Sequence, residues 1–316
     1  MQTKVNKQLK IVFAGTTDFA EKYLSALVKS KHKIVYVMTK KISIKNKYIS
    51  KLINNCLKNS IPMILEKNLN NNKIVKKIQK KKPDIMIIVA YGIKIPQNII
   101  KIFPMKALNI HPSILPKWRG PAPIQRAILN GDRKTGVSII SINQKFDSGN
   151  ILNIKTCKIY KNDTFLSLSK KLCNIGIKSM FISLINIFKR KKTLKQKTDK
   201  TKYFYAHKIS RHETKINWNN TAKYLERSIR AFYPSPGSYF FFKKKRIKVF
   251  QSEVFINSKE YSCGKIIKIL KDGIYISTKK NCLIIKKIQF EGKKMINSID
   301  IYNGYKNFFQ IGETIL

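Results

Sequence analysis

The stretch DIMIIVAYG, residues 84–92, constrains this chain most, because after Asp84 it presents an unbroken apolar run and leaves no face for water. A short, β-branched run of this kind suits a strand covered on both faces, as in parallel sheets blanketed by their crossover helices. The flanking text supplies the rest of such a sheet. LKIVFAG (9–15) is a second apolar strand ending in a turn at Gly15, followed by a helix on which Phe19, Tyr23, Leu24, Leu27 and Val28 recur at helical spacing. IVYVM (34–38) and IPMI (61–64) are further strands, with NKYISKLINNCLK (46–58) and NKIVKKIQK (72–80) as helices between them. Strand and helix alternating in this way predict an α/β class with a Rossmann-like, mostly parallel sheet. A single glycine in the first turn falls short of a dinucleotide fingerprint. Ligands of such sheets gather at the carboxyl ends of the strands, where Tyr91 and Gly92 lie; Tyr91 suits either a core position or a pocket wall.

A second apolar strand leads into ALNIHPSILPKWRG, residues 107–120, which sets Asn109, His111 and Ser113 at strand spacing and therefore on one face. An amide donor beside an imidazole, ahead of a proline-punctuated loop, suits stabilising an oxyanion and moving protons. Asp147, in QKFDSGNI, supplies a carboxylate downstream. By residue type alone, a lone histidine near a strand end is more often structural, and Asn109 could equally cap a loop. Arg119 and Arg126 flank the motif as anion ligands or as solvated charges. PAPIQRAILNG (121–131) then predicts a helix with prolines in its first turn and glycine past its end. TGVSIISINQ and GNILNIKTCKIY predict two strands, and residues 167–188 a long closing helix.

The run NIHPSILPKWRGPAPIQRAILNGD, with TGVSI and FDSGNIL after it, closely resembles the folate-dependent formyltransferases, and within them the methionyl-tRNA formyltransferases. That resemblance implies that Asn109, His111 and Asp147 are the catalytic trio. It implies that Ser113, Ile114, Leu115 and Pro116 contact the folate, with isoleucine at 114 where the family has leucine, and that Val89 to Ile95, including Tyr91 and Gly92, wall the pterin pocket. The implied reaction transfers a formyl group from 10-formyltetrahydrofolate to the α-amine of initiator methionyl-tRNA, giving N-formylmethionyl-tRNA for translation initiation, with no metal. Asn109 and a charged His111 would stabilise the oxyanion, while Asp147 would keep His111 charged and help remove the amine proton.

Residues 188–202, FKRKKTLKQKTDKTK, lack apolar periodicity and suggest an exposed linker, either a tether or a contact for RNA phosphates. The expected division is a catalytic domain over 1–190, a basic linker over 191–205 and a C-terminal domain over 206–316. The entry to that last domain is similar to the same family's, through Ala206, Lys208, Trp218, Arg230, Phe232, Pro234 and Gly237. TAKYLERSIRAF predicts an amphipathic helix with Tyr224, Leu225, Ile229 and Phe232 facing a core. Short alternating runs from residue 238 onward predict a small OB-like β-barrel, an architecture that often binds nucleic acids. One departure matters. Where the family has an arginine- and glycine-containing loop that engages the tRNA acceptor stem, this chain has TKKISIKNKY (39–48), whose lysines attract phosphates without guanidinium forks.

With 65 Lys+Arg against 16 Asp+Glu, the formal charge of +49 ordinarily signals a polyanionic partner. Lys, Ile and Asn dominate even the core strands, however, so most of that charge looks like compositional drift. Five scattered cysteines without ligand spacing suit a reducing compartment. No run of about 20 apolar residues is apparent as a membrane span, and the polar start lacks a signal peptide's apolar core. A cytoplasmic monomer is therefore expected. Two rivals stand beside this reading: a formyltransferase for a small amine such as glycinamide ribonucleotide or an amino sugar, which would not need the C-terminal domain, and an RNA-binding protein on an inactive scaffold, which would not need the trio. Any RNA complex of so basic a chain should lose affinity about 10³-fold or more between 50 and 200 mM salt in a filter-binding titration.

Overall fold

The computed structural model describes residues 7–40, 51–66, 68–189, 192–196, 204–305 and 307–315. Most of the expected acceptor-stem loop, residues 41–48, lies outside them, as do 191 and 197–203 of the expected linker. The described chain forms two compact units, one of Met1–Pro123, Lys134–Lys158 and Ser169–Ala206, the other of Ile124–Arg133, Ile159–Leu168 and His207–Leu316.

The first unit is built on a seven-stranded sheet. In chain order its elements are β1 (Lys10–Gly15), α1 (Asp18–Val28), β2 (Lys33–Met38), α2 (Lys51–Lys58), β3 (Met63–Ile64), α3 (Asn72–Gln79), β4 (Ile85–Val89), α4 (Gln97–Ile100) and β5 (Ala107–His111). After α5 (Pro123–Asn130) come β6 (Lys134–Ser141), β7 (Ile151–Lys158) and α6 (Phe165–Phe188). Across the sheet the order is β3-β2-β1-β4-β5-β6-β7, parallel from β3 through β5 and antiparallel for β6 and β7. β4 is buried along its whole length, as its apolar run predicts. The chain builds outward from β1 to β3 and then returns to the other side of β1 with β4, so the strand order reverses between β1 and β4. Open sheets leave a ligand crevice above such a reversal.

Gly15 does not make a turn; it is the last residue of β1. A Cβ there would lie 2.6 Å from Ala20 Cβ and 3.0 Å from Val89 O, so glycine lets α1 approach the sheet. Thr17 caps that helix by accepting from Ala20 N. The expectation of no membrane-length apolar segment needs correcting: α6, at 24 residues, is long and apolar enough to cross a membrane by length and composition. It nonetheless carries Lys170, Lys171 and Lys178, and it buries Leu168, Leu172, Cys173, Met180 and Leu184 within the protein.

The second unit continues through α7 (Ala222–Phe232), β8 (Ser238–Phe242), β9 (Lys245–Phe255), β10 (Ile266–Leu270), β11 (Gly273–Ser277), β12 (Cys282–Phe290), β13 (Met295–Asn297) and α8 (Ser298–Gly304). Its antiparallel sheet runs β10-β11-β12-β9-β8, with β13 paired to β12. Among the described residues no pairing joins β10 to β8, so the sheet stays open where an OB-like barrel would close. One face covers a core of Trp218, Leu225, Ile229, Phe240, Ile247, Ile285 and Phe309. In α7, Ala222, Leu225, Ile229 and Phe232 are buried, whereas Tyr224 is 41% exposed, contrary to its expected core position. Residues 222, 225, 229 and 232 follow the helical repeat, and 224 falls well off that line. Leu225→Ala should therefore cost about 2–5 kcal/mol and Tyr224→Ala within about 0.5 kcal/mol in urea unfolding.

Candidate active site

β1, β4 and β5 end side by side, and the loops that leave them surround a cavity of 570 Å³. Thr16 and Thr17 come from the first loop and Phe19 from the start of α1, Ala90 to Ile95 from the second loop, and Asn109 and His111 from the end of β5 with Pro112 just beyond it. Residues 140–147 with Gly149, and Gly120 with Tyr205, also line the wall. The size and mostly apolar lining suit a small organic ligand held by a few polar groups.

At one side of this cavity sits the Asp147 carboxylate, whose side chain is 11% exposed. Asn109 Nδ2 donates to its Oδ1 at 2.9 Å, and the Gly120 N–H donates to its Oδ2 at 3.0 Å. His111 Nδ1 lies 3.5 Å from Oδ1, an ion-pairing distance. His111 Nε2 is 2.8 Å from the carbonyl oxygen of Trp118. A carbonyl only accepts, so Nε2 carries a hydrogen and the ring orientation is set. The three residues expected to act together are thus in contact. Alternation explains Asn109 and His111, which share a face of β5.

Ser113 departs from that pattern. The strand ends at His111, and Ser113 N–H donates back to the His111 carbonyl in a turn. Its hydroxyl donates to Lys117 O, and its carbonyl accepts from Ser138 Oγ, which also accepts from Leu115 N–H. Leu115 packs on Ile140 and Ile151, and Ile114 faces Gly136 of β6. Ser113, Ile114, Leu115 and Pro116 are therefore outside the cavity lining and brace the loop against β6.

Several contributors carry no sequence signal because they act through the backbone. Ala90, Trp118 and Asp147 adopt φ of 46°, 63° and 52°, a region costly for side chains and common at functional sites. Gly120 has φ 118°, and a Cβ there would meet Ala206 O at 2.7 Å. The expected linker is not a simple tether in its described parts. Leu194 forms a two-bond antiparallel bridge with Ile151, buried Gln196 bonds the carbonyls of Asp147 and Gly149, and Phe204 and Ala206 bond the 118–122 loop through their backbones. Each contact is made by a single residue, so no apolar periodicity marks them. Arg119 donates to Gln196, and Arg126 is bound to Glu213 and to the His207 carbonyl in the second unit. Among the described residues no three His, Cys, Asp or Glu side chains cluster as a metal site.

Residues 9–184 match the family described as formyl transferase, and 208–306 match its C-terminal domain. Over 316 residues the chain is 41% identical to the methionyl-tRNA formyltransferase of Buchnera aphidicola subsp. Schizaphis graminum, covering 98% of this chain and all of that one. The chain belongs to the methionyl-tRNA formyltransferase family. Similar folds occur in HypX from Aquifex aeolicus in complex with tetrahydrofolic acid, at 17% identity and TM-score 0.65 over 98% of this chain and 51% of that one. The N-formyltransferase of Helicobacter canadensis, in complex with folinic acid and dTDP-3-aminofucose, has 22% identity and TM-score 0.63 over 88% and 98% of the two chains. Formyl transfer is the chemistry of this family, and both of its domains are present in this member.

Tyr91 answers to both roles open to it: it is among the residues around the cavity and also belongs to the buried core, where its hydroxyl has no hydrogen-bond partner among the described residues. Burial pushes its pKa up to about 12 from an ordinary 10.0. Between those values an unfolded chain has released the proton and the folded chain has not, so stability falls as pH rises. Tyr91→Phe should keep or raise stability at pH 7, since it removes an unbonded polar group, and should lessen the loss of melting temperature between pH 10 and 12. A raised folate KM in this variant would show instead that the hydroxyl contacts ligand.

Proposed function

We propose that this enzyme transfers the formyl group of 10-formyltetrahydrofolate to the α-amine of initiator methionyl-tRNA, with Asn109, His111 and Asp147 as catalytic residues. The observation that carries the reading is the Asp147 carboxylate, which gathers Asn109, His111 and the Gly120 N–H at one side of a cavity above the sheet's strand reversal. The folate supplies the formyl carbon as an acyl donor. Asn109 Nδ2 bears two hydrogens; one is spent on Asp147, and the other is directed at the oxygen that gains charge as the amine nitrogen bonds that carbon. His111 donates Nε2–H to the Trp118 carbonyl and turns Nδ1 toward Asp147, and when protonated it adds a positive charge to that oxygen's surroundings. Asp147 accepts the proton that the amine sheds, directly or through a water. The proton returned to the departing folate nitrogen completes the exchange, releasing tetrahydrofolate.

Tyr91 and Gly92 would wall the pterin, supported by their place in the cavity lining. Ser113 to Pro116 would contribute by holding the His111 loop against β6, supported by the bonds through Ser138. The second unit would bind the tRNA as an opened OB-like barrel. Support comes from the β8–β9 hairpin, where the Arg246 guanidinium sits 3.9 Å from the Tyr239 ring centroid, Phe241 is exposed, and Lys243 and Lys245 lie over Phe308. Aromatic faces beside cations suit unpaired bases and phosphates. The same reading makes the protein a cytoplasmic monomer with α6 buried in its own fold rather than in a bilayer.

Purified protein with 10-formyltetrahydrofolate should formylate initiator methionyl-tRNA far faster than glycinamide ribonucleotide or an amino sugar; preference for either small amine rejects the tRNA substrate. Asp147→Asn should keep its melting temperature but lose at least about 100-fold in kcat, the loss typical of a positioned acid–base group.

A further inference from the structure

We propose that Gln196 is a positioning residue for the formyl-transfer reaction, its amide tying the turn that carries Asp147 to the turn that carries Arg119 and Gly120. The inference rests on the reaction assigned to the trio above. Gln196 is 6% exposed, and all four hydrogen-bonding positions of its amide are occupied. Oε1 accepts from Arg119 Nε at 3.1 Å and from Arg119 Nη2 at 2.5 Å. Nε2 donates to Asp147 O at 3.0 Å and to Gly149 O at 2.8 Å.

Those two carbonyls bracket Ser148 and Gly149, directly after Asp147, which itself sits at φ 52°. A non-glycine residue stays in that conformation only where surrounding bonds over-determine it. Gln196 supplies one such bond at Asp147 itself and a second two residues on. Through Arg119 it also reaches the turn whose Gly120 N–H binds the Asp147 carboxylate, so backbone and side chain of Asp147 are held from the same pair of turns. The amide is the group that the geometry requires. Glutamate could accept from Arg119 but has no hydrogens for the two carbonyls, and lysine could donate to the carbonyls but not accept from Arg119. Gln196 is itself anchored by the bridge between Leu194 and Ile151, so the staple has a fixed base in β7.

The test uses the full chain with Gln196→Ala and with Gln196→Met, the second keeping side-chain volume where alanine leaves a gap. Amide hydrogen exchange over residues 145–149 should quicken at least about 10-fold in either variant while exchange in β1 and β4 stays unchanged. In formyl transfer, kcat should fall at least about 10-fold with the KM of each substrate within about threefold, and the loss should vanish when Asp147→Asn is already present. Unchanged exchange in that segment, or an equal kcat loss on the Asp147→Asn background, overturns the proposal. Exchange is read without turnover, so a wild-type protein that transfers no formyl group counts against the assigned reaction while Gln196 is still judged.

Discussion

A carboxylate that has lost nearly all contact with water must be hydrogen-bonded or paired, since removing it from solvent unpaired costs several kcal/mol. Asp147 meets that demand with an amide from β5, a backbone N–H from the loop after it and an imidazole from the strand end. Each partner comes from a different position along the chain. Satisfying one charge therefore brings β5, the 118–120 loop and the 147 turn into a single arrangement, which is also the arrangement proposed for formyl transfer. The proposed reactive geometry and the remedy for burial are the same set of bonds.

Such an arrangement needs a stiff base and strained tips. The base is the sheet, with β4 buried on both faces and α1 drawn close by Gly15. The tips are Ala90 and Asp147 in the cavity wall and Trp118 in the loop beside it, all at positive φ. Trp118 is held there by its N–H to Phe204 O, by its ring against Phe204, and by Lys117 over both rings. Its carbonyl is consequently pointed at His111 Nε2. Strain of this kind persists because the neighbouring bonds offset it, and Gln196, Phe204 and Ala206 supply several of them.

In a chain of 65 basic and 16 acidic residues, the acids that matter structurally are those with assigned partners. Burial pushes the Glu213 carboxyl up, but hydrogen bonds from Arg126 and Ser210 and the Arg126 charge bring it below its usual range. Glu226 pairs with Arg230 one turn along α7, and Arg230 in turn donates to the Asp163 carbonyl. These contacts order parts of the second unit. Charge spread over the whole chain is a poor guide to the proposed tRNA interface, for which the aromatic–cation hairpin is the more specific mark.

The sequence by itself determined the parallel sheet, because hydrophobic burial imposes its period on residue type: β4 is an unbroken apolar run, and α7 buries residues at helical intervals. It also nominated the three residues that the fold brings together, since Asn109 and His111 are two residues apart on one strand and the family resemblance points to Asp147. It misassigned Ser113 to that strand face, Tyr224 to a core and Gln196 to an exposed linker. Where a strand stops is decided by the turn bonds beyond it, and a lone buried amide such as Gln196 leaves no periodic trace. The Gly120 N–H and the Trp118 carbonyl could only emerge from tertiary structure, because backbone groups are the same at every residue and acquire a role only from where folding points them.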